Sequence, residues 1–361
     1  MNILAIDPGS TSTKVGVWRA GKLVKASIEH PRGEIESFHS VMEQLDYRME
    51  RLARYLREND VDRLPWDAVV GRGGLVRPVP SGVYLVEEPL IKDLKDGVSG
   101  EHAANLGGVM AHAVAASKGV PAYVVDPPVI DEMWPVARLS GMAGIERRSM
   151  FHALNQKAVA RDVARELGRD YAELNLIVVH MGGGITAGAH RKGLVVDVNN
   201  GLNGDGPFSP ERTGGLPVVG VLELVERGAF TTGELKGIVA RRGGVYSYLN
   251  TVDMREVEAR AQGGDAEASL VQEAMIYQIA KEIGGLAAAL SGAVDGIVLT
   301  GGLAFGAAVV EGVRERVGFI APVFVRPGEF EIEALVDGAL RVLSGTEAAR
   351  RYAGGTDEDR G

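Results

Sequence analysis

The sequence predicts a duplicated α/β fold, in which one chain of 361 residues forms two domains. Two observations support this prediction. Short apolar runs typical of strands alternate with amphipathic helical segments along the chain, which is the pattern of α/β proteins. The opening arrangement of strand, small-residue turn and strand also returns 173 positions later, where His180 aligns with Asp7 and Gly182 with Gly9. Two duplicated domains that face each other would create a ligand-binding cleft.

The individual elements are predicted from the spacing of apolar residues. Short, mainly apolar runs predict strands at residues 3–6, 15–18, 66–70, 122–125, 174–179 and 295–300. Amphipathic spacing predicts helices at residues 36–57, 101–117, 147–167, 217–226, 232–241 and 265–290. The apolar stripe of the last helix is expected in the core, and the polar end at 354–361 is expected to fray.

The composition argues against several classes of protein. The formal net charge of −9 argues against a nucleic-acid or anionic-membrane partner. The chain has no cysteine, so a disulfide framework or a zinc site made of thiolates is impossible. The chain enters a strand at once and has no apolar run of membrane-spanning length. A cytoplasmic enzyme is therefore expected.

Three small-residue turns, each after an apolar strand, carry the first indication of function. The first turn runs from Asp7 to Lys14 and contains Gly9 and several hydroxyl side chains, among them Ser10 and Ser12. Glycine allows close backbone approach, and hydroxyl, N–H and ammonium groups bind anions. The turn therefore predicts a phosphate site, with a Ser/Thr-rich hairpin that binds no ligand as the alternative.

The second turn contains Gly182, Gly183 and Gly184, and the third contains Gly301 and Gly302. The chain lacks the spacing of a Walker motif or of a dinucleotide-binding motif. One glycine turn after a strand is weak evidence by itself. Three turns in this order fit two phosphate-binding hairpins followed by a loop beside an adenine ring.

Longer stretches around these turns resemble the signature regions of acetate and butyrate kinases, and butyrate kinases most closely. The resemblance covers nearly the whole chain and is carried by residues 7–14, 70–74, 100–107, 123–127, 151–157, 180–192 and 197–214. It implies the fold of actin, sugar kinases and Hsp70, with two ribonuclease-H-like domains and ATP in the cleft between them. The implied domains are residues 1–148 with a C-terminal helix at about 332–361, and residues 149–331.

The resemblance implies a reversible transfer of the γ-phosphoryl group of ATP to a short-chain fatty acid, with Mg²⁺ and with butanoate as the first candidate. Such an acid has a carboxyl pKa of about 4 to 5 and is already ionised at neutral pH, so it needs no general base. The difficulty is that an anionic nucleophile must approach an anionic phosphate. Cationic side chains are therefore the expected catalytic groups.

Several residues match functional positions of these kinases. Arg72 matches the arginine that holds the carboxylate, and Arg212 matches the arginine that stabilises the transferring phosphoryl group. For both, a surface ion pair is the alternative. His180 matches a histidine beside the phosphoryl group, where it would donate a hydrogen bond. His152 and His102 match two further histidines, for which a structural role is the alternative.

The resemblance also implies how the nucleotide and metal are held. The phosphates are expected at Ser10, Ser12, Lys14, Gly182, Gly183 and Gly184, and the adenosine at Gly301 and Gly302. Asp126 matches an aspartate that acts near the metal, and capping of a loop is its alternative. Glu331 aligns with a metal-linked glutamate of these kinases. Glu329 and Glu333 are close enough in sequence to be the aligned residue instead.

Two places depart from the pattern of these kinases. Asp7 stands where most relatives have asparagine, and because Mg²⁺ prefers oxygen ligands this carboxylate predicts stronger metal binding. Residues 303–306 lack the polar side chains expected for contacts with the nucleotide.

Alternative functions stay open. A kinase for acetate, propionate or a branched acid lies within the same class. An ATP-binding sensor or activator with the same fold and no acyl transfer is the alternative from another class. Arg72 and Arg212 argue against that alternative, because a sensor does not need to hold a carboxylate. A homo-oligomer, either a dimer or larger, is implied by the resemblance.

Overall fold

The computed structural model describes residues 1–354, and the chain divides into two compact units. The first unit comprises Met1–Ile130 and the segment that begins at Phe330, and the second comprises Asp131–Glu329. Each unit is built on its own β-sheet. The polar end expected to fray lies outside the described residues, apart from Gly354.

The first unit contains a six-stranded sheet. Its strands are β1 (Asn2–Pro8), β2 (Ser12–Arg19), β3 (Lys22–Glu29), β4 (Ala68–Arg72), β5 (Val83–Leu85) and β6 (Ala122–Val125). The strand order is β3-β2-β1-β4-β6-β5, and β4 pairs in parallel with both β1 and β6. Asp7, Arg72 and Asp126 end or follow these three parallel strands, so they lie at the same edge of the sheet.

Helices cover both faces of this sheet. The first unit contains α1 (Arg32–Ile35), a 3₁₀ turn (Met42–Gln44), α2 (Leu45–Glu58), α3 (Glu88–Asp96), α4 (Asn105–Lys118) and α13 (Glu331–Leu343). Val124 packs against Gly108 of α4, whereas Val125 packs against Gly338 of α13. Neighbouring strand residues point to opposite faces, so α4 and α13 lie on opposite sides of the sheet.

The second unit repeats the arrangement of the first. Its strands are β7 (Asn175–Met181), β8 (Ile185–Arg191), β9 (Leu194–Val198), β10 (Gly296–Gly301) and β11 (Val323–Pro327). In the order β9-β8-β7-β10-β11, three antiparallel strands are followed by two parallel ones, as in β3-β2-β1-β4-β6. The predicted duplication is therefore confirmed.

A long helix forms much of the second core. Met275, Ile279 and Ile283 on α11 (Ala266–Ala289) are fully buried with the inner residues of β7 and β8, as the apolar stripe predicts, whereas Leu270 of the same stripe is 67% exposed. The second unit contains α5 (Pro135–Arg138), α6 (Ala153–Glu166), a 3₁₀ turn (Tyr171–Glu173), α7 (Val218–Glu226), α8 (Thr232–Gly237), a π-helical segment (Ile238–Arg242), α9 (Gly244–Leu249), α10 (Met254–Gln262), α11 (Ala266–Ala289), a 3₁₀ turn (Gly302–Phe305) and α12 (Ala307–Val317).

The helix predicted at residues 147–167 is shorter than expected, since α6 begins only at Ala153. Arg147 instead donates to Asp197 Oδ1 at 2.8 Å and to the Val198 carbonyl at 3.2 Å. The carbonyl of Met150 accepts from the backbone N–H of residue 201 at 2.9 Å. These bonds hold residues 147–152 along β9 and the loop after it, so this stretch cannot form helical hydrogen bonds.

The helix predicted at residues 36–57 is also interrupted. The backbone N–H of His39 donates to Glu43 Oε2 at 2.9 Å, and the N–H of Glu43 donates to Ser40 Oγ at 3.4 Å. Such local side-chain bonds compete with helical ones. The continuous helix α2 therefore starts at Leu45. Within residues 1–354, none of the helices is both long enough and apolar enough to cross a lipid bilayer.

Candidate active site

Arg72, the last residue of β4, contacts two buried carboxylates in the first unit. Its Nη1 donates to Asp7 Oδ1 at 3.2 Å and lies 3.9 Å from Glu331 Oε1. The side chain of Arg72 is 22% exposed, whereas those of Asp7 and Glu331 are 4% and 5% exposed. Glu333 pairs instead with Lys25 on β3. Three residues predicted for the site therefore lie together, and their ion pair is buried rather than at the surface.

The turn between β1 and β2 directs its carbonyl groups inward. Arg48 of α2 donates to the Ser12 carbonyl at 3.0 Å and to the Ser10 carbonyl at 3.2 Å. The backbone N–H of His30 donates to the Thr11 carbonyl at 2.8 Å. In a planar trans peptide the N–H points away from the preceding carbonyl, so the Thr11 N–H is directed away from Arg48. The Gly9 N–H bonds to the Ser12 carbonyl inside the turn at 2.8 Å, so the Thr11 N–H is the backbone donor that points outward, where an anion site needs one.

Arg48 places a positive charge directly beneath this turn. Its side chain is fully buried, and besides the two carbonyls it donates to Gln44 Oε1 and Thr13 Oγ1. No carboxylate within residues 1–354 forms an ion pair with it. Burial lowers the pKa of Arg48 to about 10, which leaves it charged at neutral pH. A buried cation without a counterion is costly, and a bound anion would reduce that cost.

The sequence interpretation missed Arg48, although the sequence contains a signal for it. Arg48, Leu52 and Leu56 are spaced four residues apart, and all three lie on the buried face of α2. An arginine in line with an apolar stripe indicates a buried guanidinium. Its partners could not be predicted, because the turn it supports lies 36 and 38 residues away along the chain.

The other predicted residues of the first unit have defined positions. Lys14 lies opposite Asp7 in the β1–β2 pair. Asp126 is buried directly after β6, and its Oδ1 accepts from the Gly82 N–H at 2.9 Å. Its φ of 38° is in the left-handed region, which costs energy for a residue with a Cβ. His102 Nδ1 accepts from a backbone N–H just before α4 at 3.1 Å. Asp126 and His102 therefore each accept a hydrogen bond from a backbone N–H, at Gly82 and at Ala104.

In the second unit, the turn between β7 and β8 packs directly against Arg212. A Cβ at Gly184 would overlap the Arg212 guanidinium, and a Cβ at Gly183 would overlap the Glu211 carboxylate. Ser209 Oγ donates to the Gly183 carbonyl at 2.6 Å and accepts from the Arg212 N–H at 3.1 Å. A side chain at Gly184 would displace the Arg212 guanidinium from its position against the turn. The structure thus brings together the turn and the arginine that the sequence predicts.

Within the described residues, Arg212 has a buried hydrogen-bond donor that the protein does not use. Its guanidinium donates from Nη1 to the Gly201 carbonyl at 2.7 Å. Its Nε is buried and has no hydrogen-bond partner in residues 1–354, and no carboxylate in that range forms an ion pair with it. Burial lowers the pKa of Arg212, the Glu211 carboxylate raises it, and Arg241 lowers it. A partly buried cation with unused donors is suited to an anionic ligand.

Two predicted histidines form a stack beside the same turn. The ring centroids of His152 and His180 are 3.8 Å apart, and their planes differ by 10°. His180 is the next-to-last residue of β7, and its Nδ1 lies 3.0 Å from Asn155 Oδ1. His152 precedes α6 and lies with Nδ1 2.9 Å from Thr186 Oγ1. A Cβ at Gly182 would lie 3.2 Å from His180 Nε2, so the stack adjoins the turn.

The third glycine turn opens onto a cavity. Gly301 has a φ of 88°, and a Cβ there would overlap the backbone of Met181 at the end of β7. Gly302 lines an open cavity of about 830 Å³, which is within the size range of ligand pockets. The other lining residues are Val252, Asp253, Met254, Arg255, Glu258, Gln272, Leu303, Phe305, Gly306, Ala307 and Val309. Residues 303–306 contribute no polar side chain to this cavity. Its polar side chains come instead from the residue before α10, from α10 and from α11.

Two buried carboxylates of the first unit, Asp7 and Glu331, are oxygen donors of the kind that divalent metal ions take. In the described part of the chain, no group of three or more His, Asp or Glu side chains is arranged to hold a metal. Asp7 and Glu331 nevertheless converge on Nη1 of one arginine. Mg²⁺ in phosphate-transferring enzymes takes one or two carboxylates and completes its shell with phosphate oxygens and water. The chemistry of these two oxygen donors is compatible with such an ion.

The two sheets share one topology, and each begins with a hairpin that contains a glycine turn. This duplicated arrangement defines the ribonuclease-H-like class of folds, which includes actin, Hsp70 and the sugar kinases. The sequence model of the acetokinase family matches residues 137–320, just over half of the chain. The chain belongs to the acetokinase family. Membership of this family supports carboxylate kinase activity and implies the use of ATP with a metal ion.

Solved structures of three kinases share this fold. An acetate kinase from Porphyromonas gingivalis is 18% identical with a TM-score of 0.76, over 94% of this chain and 99% of that one. An acetate kinase from Entamoeba histolytica is 16% identical with a TM-score of 0.74, and the match covers 94% of this chain and 99% of the acetate kinase. A propionate kinase from Francisella tularensis is 17% identical with a TM-score of 0.71, and the match covers 92% of this chain and 98% of the propionate kinase. At these identities the likeness shows the fold.

Proposed function

We propose that this protein transfers the γ-phosphoryl group of ATP to the carboxylate of a short-chain fatty acid, with butanoate as the preferred acid, and that the reaction is reversible. The observation that carries the proposal is Arg212. It is a partly buried arginine with an unused Nε donor and no ion pair in residues 1–354, placed beside a glycine turn. Such a group stabilises the charge of a transferring phosphoryl group. The resemblance of the chain to butyrate kinases supports butanoate.

Arg72 is the proposed contact for the acid. A guanidinium binds a carboxylate through two parallel hydrogen bonds. Its Nη1 already lies against Asp7 and Glu331, so the acid would share the arginine with them. Mg²⁺ held by Asp7 and Glu331 would supply positive charge that offsets these carboxylates and the nucleotide phosphates. Asp126 stays a predicted participant near the metal.

The proposed step needs no proton transfer. An oxygen of the ionised acid forms a bond to the γ-phosphorus, while the bond from this phosphorus to the β–γ bridging oxygen breaks. The electron pair of the broken bond stays on ADP. Arg212 and the stacked pair His152 and His180 are proposed to contact the phosphoryl oxygens. The turns that contain Ser10, Ser12, Lys14, Gly182, Gly183 and Gly184 are proposed to hold the nucleotide phosphates.

The purine ring is proposed to occupy the cavity beside Gly302. Phe305 at this cavity is 73% exposed, which offers an aromatic face for stacking. Asp253 and Arg255 supply polar groups at the same cavity. Loss of the Phe305 ring would therefore weaken binding of the nucleotide without affecting contacts to the acid.

The alternatives differ in what they need from the site. Acetate or propionate as the acid would use the same Arg72 and Arg212. An ATP-binding sensor would use the nucleotide cavity alone, and the two arginines argue against it. The homo-oligomer implied by the resemblance stays a prediction, and it is supported by α7, on which Val218, Val219 and Leu222 are exposed.

A hydroxamate assay with ATP, Mg²⁺ and linear and branched acids from acetate to hexanoate tests the proposal. We expect acyl hydroxamate with the highest kcat/KM for butanoate. A higher kcat/KM for acetate, propionate or a branched acid would establish the alternative within the class. Absence of acyl hydroxamate with every acid would contradict the carboxylate kinase itself.

Asp7→Asn is expected to raise the Mg²⁺ concentration for half-maximal activity by about tenfold, because it removes a metal-linked negative charge. An amide oxygen can still accept from Arg72, so the variant should fold. A Mg²⁺ titration of the hydroxamate assay measures the effect. Asp96→Asn is the matched control, since Asp96 is an exposed carboxylate of the same unit paired with Lys92. A lower Mg²⁺ requirement in Asp7→Asn would contradict the assigned role.

A further inference from the structure

A line of buried polar side chains runs through the second unit behind the stacked histidines. Thr186 and His190 are on the same face of β8, and both are fully buried. Gln156 of α6 lies between them, and its Oε1 fills the space where Gly188 has no side chain. His152 meets this line at one end. None of the proposed contacts to ATP or acid explains the buried imidazole of His190.

The orientation of the Gln156 amide follows from its partners. Its Nε2 lies 2.9 Å from the backbone carbonyl of Thr186, which can only accept a hydrogen bond. The other amide atom is therefore the oxygen, and it lies 3.0 Å from His190 Nε2. An amide oxygen only accepts, so His190 must carry a hydrogen on Nε2.

His190 is neutral in this environment. It is fully buried, and burial lowers its pKa well below the usual value, as do the nearby charges of Lys157 and Arg161. A neutral ring has one N–H, which is on Nε2. Its Nδ1 therefore accepts a hydrogen bond from the Tyr171 hydroxyl at 2.7 Å. Tyr171 and Gln156 thus determine which nitrogen of His190 carries the proton and which accepts a hydrogen bond.

The hydrogen bonds of the Thr186 hydroxyl decide whether His152 Nδ1 donates or accepts. Thr186 Oγ1 accepts from Gln156 Nε2 at 2.9 Å, and an amide NH₂ group cannot accept in return. The second acceptor position of Thr186 Oγ1 faces the backbone N–H of His152 at 3.5 Å, so its hydrogen is directed to His152 Nδ1, which lies 2.9 Å away. A nitrogen that accepts a hydrogen bond carries no proton, so a His152 ring that accepts at Nδ1 has a single N–H and is neutral. A neutral His152 that accepts at Nδ1 carries its proton on Nε2.

The geometry points to a hydrogen-bond chain from Tyr171 through His190, Gln156 and Thr186 that fixes the tautomer of His152 and makes its Nε2 a hydrogen-bond donor. Gln156, Thr186 and His190 are then positioning residues, since they act only through His152. The consequence for catalysis rests on the proposed function, because a donor at Nε2 would stabilise charge on the phosphoryl oxygens. The tautomer itself does not depend on any substrate.

Gln156→Glu is designed to reverse the direction of the hydrogen bonds between residue 156, Thr186 and His152, with almost no change in side-chain shape. A carboxylate accepts at both oxygens, so the Thr186 carbonyl would lose its donor, the Thr186 hydroxyl would donate to the new carboxylate oxygen, and Thr186 Oγ1 would accept from His152. Long-range ¹H–¹⁵N spectra of protein labelled at histidine report which ring nitrogen is protonated. His152→Asn assigns the resonance. We expect the proton of His152 on Nε2 in the unmodified protein and on Nδ1 in Gln156→Glu.

Two further variants keep the test informative if Gln156→Glu does not fold. Thr186→Val removes the hydroxyl at constant volume and is expected to move the two nitrogen shifts of His152 toward those of a tautomer mixture. Tyr171→Phe is the matched control, since the Gln156 amide oxygen still requires Nε2–H on His190 and the tautomer of His152 should not change. A proton on Nδ1 in the unmodified protein, or unchanged shifts in Thr186→Val, would overturn the proposal.

Kinetics separates positioning from loss of the fold. In Gln156→Glu, kcat for acyl phosphate formation is expected to fall about 10²-fold, while KM for ATP and for the acid stays within about twofold. An unchanged kcat in a variant with the reversed tautomer would show that the donor at Nε2 does not act in catalysis. If the unmodified protein forms no acyl phosphate from any acid, the proposed function fails, yet the tautomer assignment stands or falls on the spectra alone.

Discussion

Arg212→Ala is expected to lower kcat for acyl phosphate formation by about 10³-fold or more, the largest effect of any single change proposed for this chain. The guanidinium is partly buried beside the glycine turn, and its Nε has no hydrogen-bond partner in residues 1–354. Its removal would take away charge stabilisation without exposing an unpaired carboxylate. The thermal midpoint should therefore change little. Initial rates in the hydroxamate assay and a thermal melt measure the two quantities.

Arg165→Ala is the matched control for Arg212. Arg165 belongs to the same unit, is 70% exposed and pairs with Asp162 on the helix surface, so its loss should leave kcat unchanged. Arg212→Lys keeps the charge but loses the planar fork, and an intermediate kcat is expected. Full turnover in Arg212→Ala would show that the residue assignment is wrong, even if the chain forms acyl phosphate.

Arg72→Ala is expected to affect both stability and activity. Its removal leaves Asp7 and Glu331 nearly buried without this cation, which should cost about 3 kcal/mol of unfolding free energy. Loss of the proposed contact to the acid should lower kcat/KM for butanoate by about 10²-fold. Denaturant unfolding and acid-dependent kinetics measure these effects separately.

A double variant separates the two effects of Arg72. Adding Asp7→Asn to Arg72→Ala removes one buried negative charge, so part of the lost stability should return while kcat/KM for the acid stays low. Arg54→Ala is the control, since Arg54 and Glu50 form an exposed pair worth less than about 1 kcal/mol. A double variant with normal kcat/KM for butanoate would mean that Arg72 supports the fold and does not hold the acid.

The duplicated fold could be predicted because its signals are local. The buried run from Ile3 to Ile6 and the run 174–179 each form a central strand followed by a glycine turn, as expected from their sequences. Arg72 and Arg212 could be proposed because they stand in stretches that resemble known kinases. In both cases the informative residues are close neighbours along the chain.

The supporting contacts could not be predicted because their partners are distant in sequence. Gln156 and His190 are 34 residues apart, so neither position alone indicates a hydrogen bond. Residues 147–152 have helical spacing, yet Arg147 binds Asp197, 50 residues later, and keeps them extended. The polar lining of the cavity beside Gly302 comes partly from α10, about 50 residues earlier. Tertiary contacts decide each of these features.

The claim that phosphate is transferred directly to a carboxylate oxygen is tested most directly by ³¹P NMR with ATP, Mg²⁺ and butanoate labelled with ¹⁸O in its carboxylate. We predict an acyl phosphate resonance whose isotope shift shows one ¹⁸O bonded to phosphorus, because the attacking oxygen becomes the bridge between the acyl group and the phosphoryl group. Hydrolysis of this product with cleavage at the carbonyl would carry the label into inorganic phosphate. The appearance of unlabelled inorganic phosphate alone, with no acyl phosphate, would contradict the proposed function.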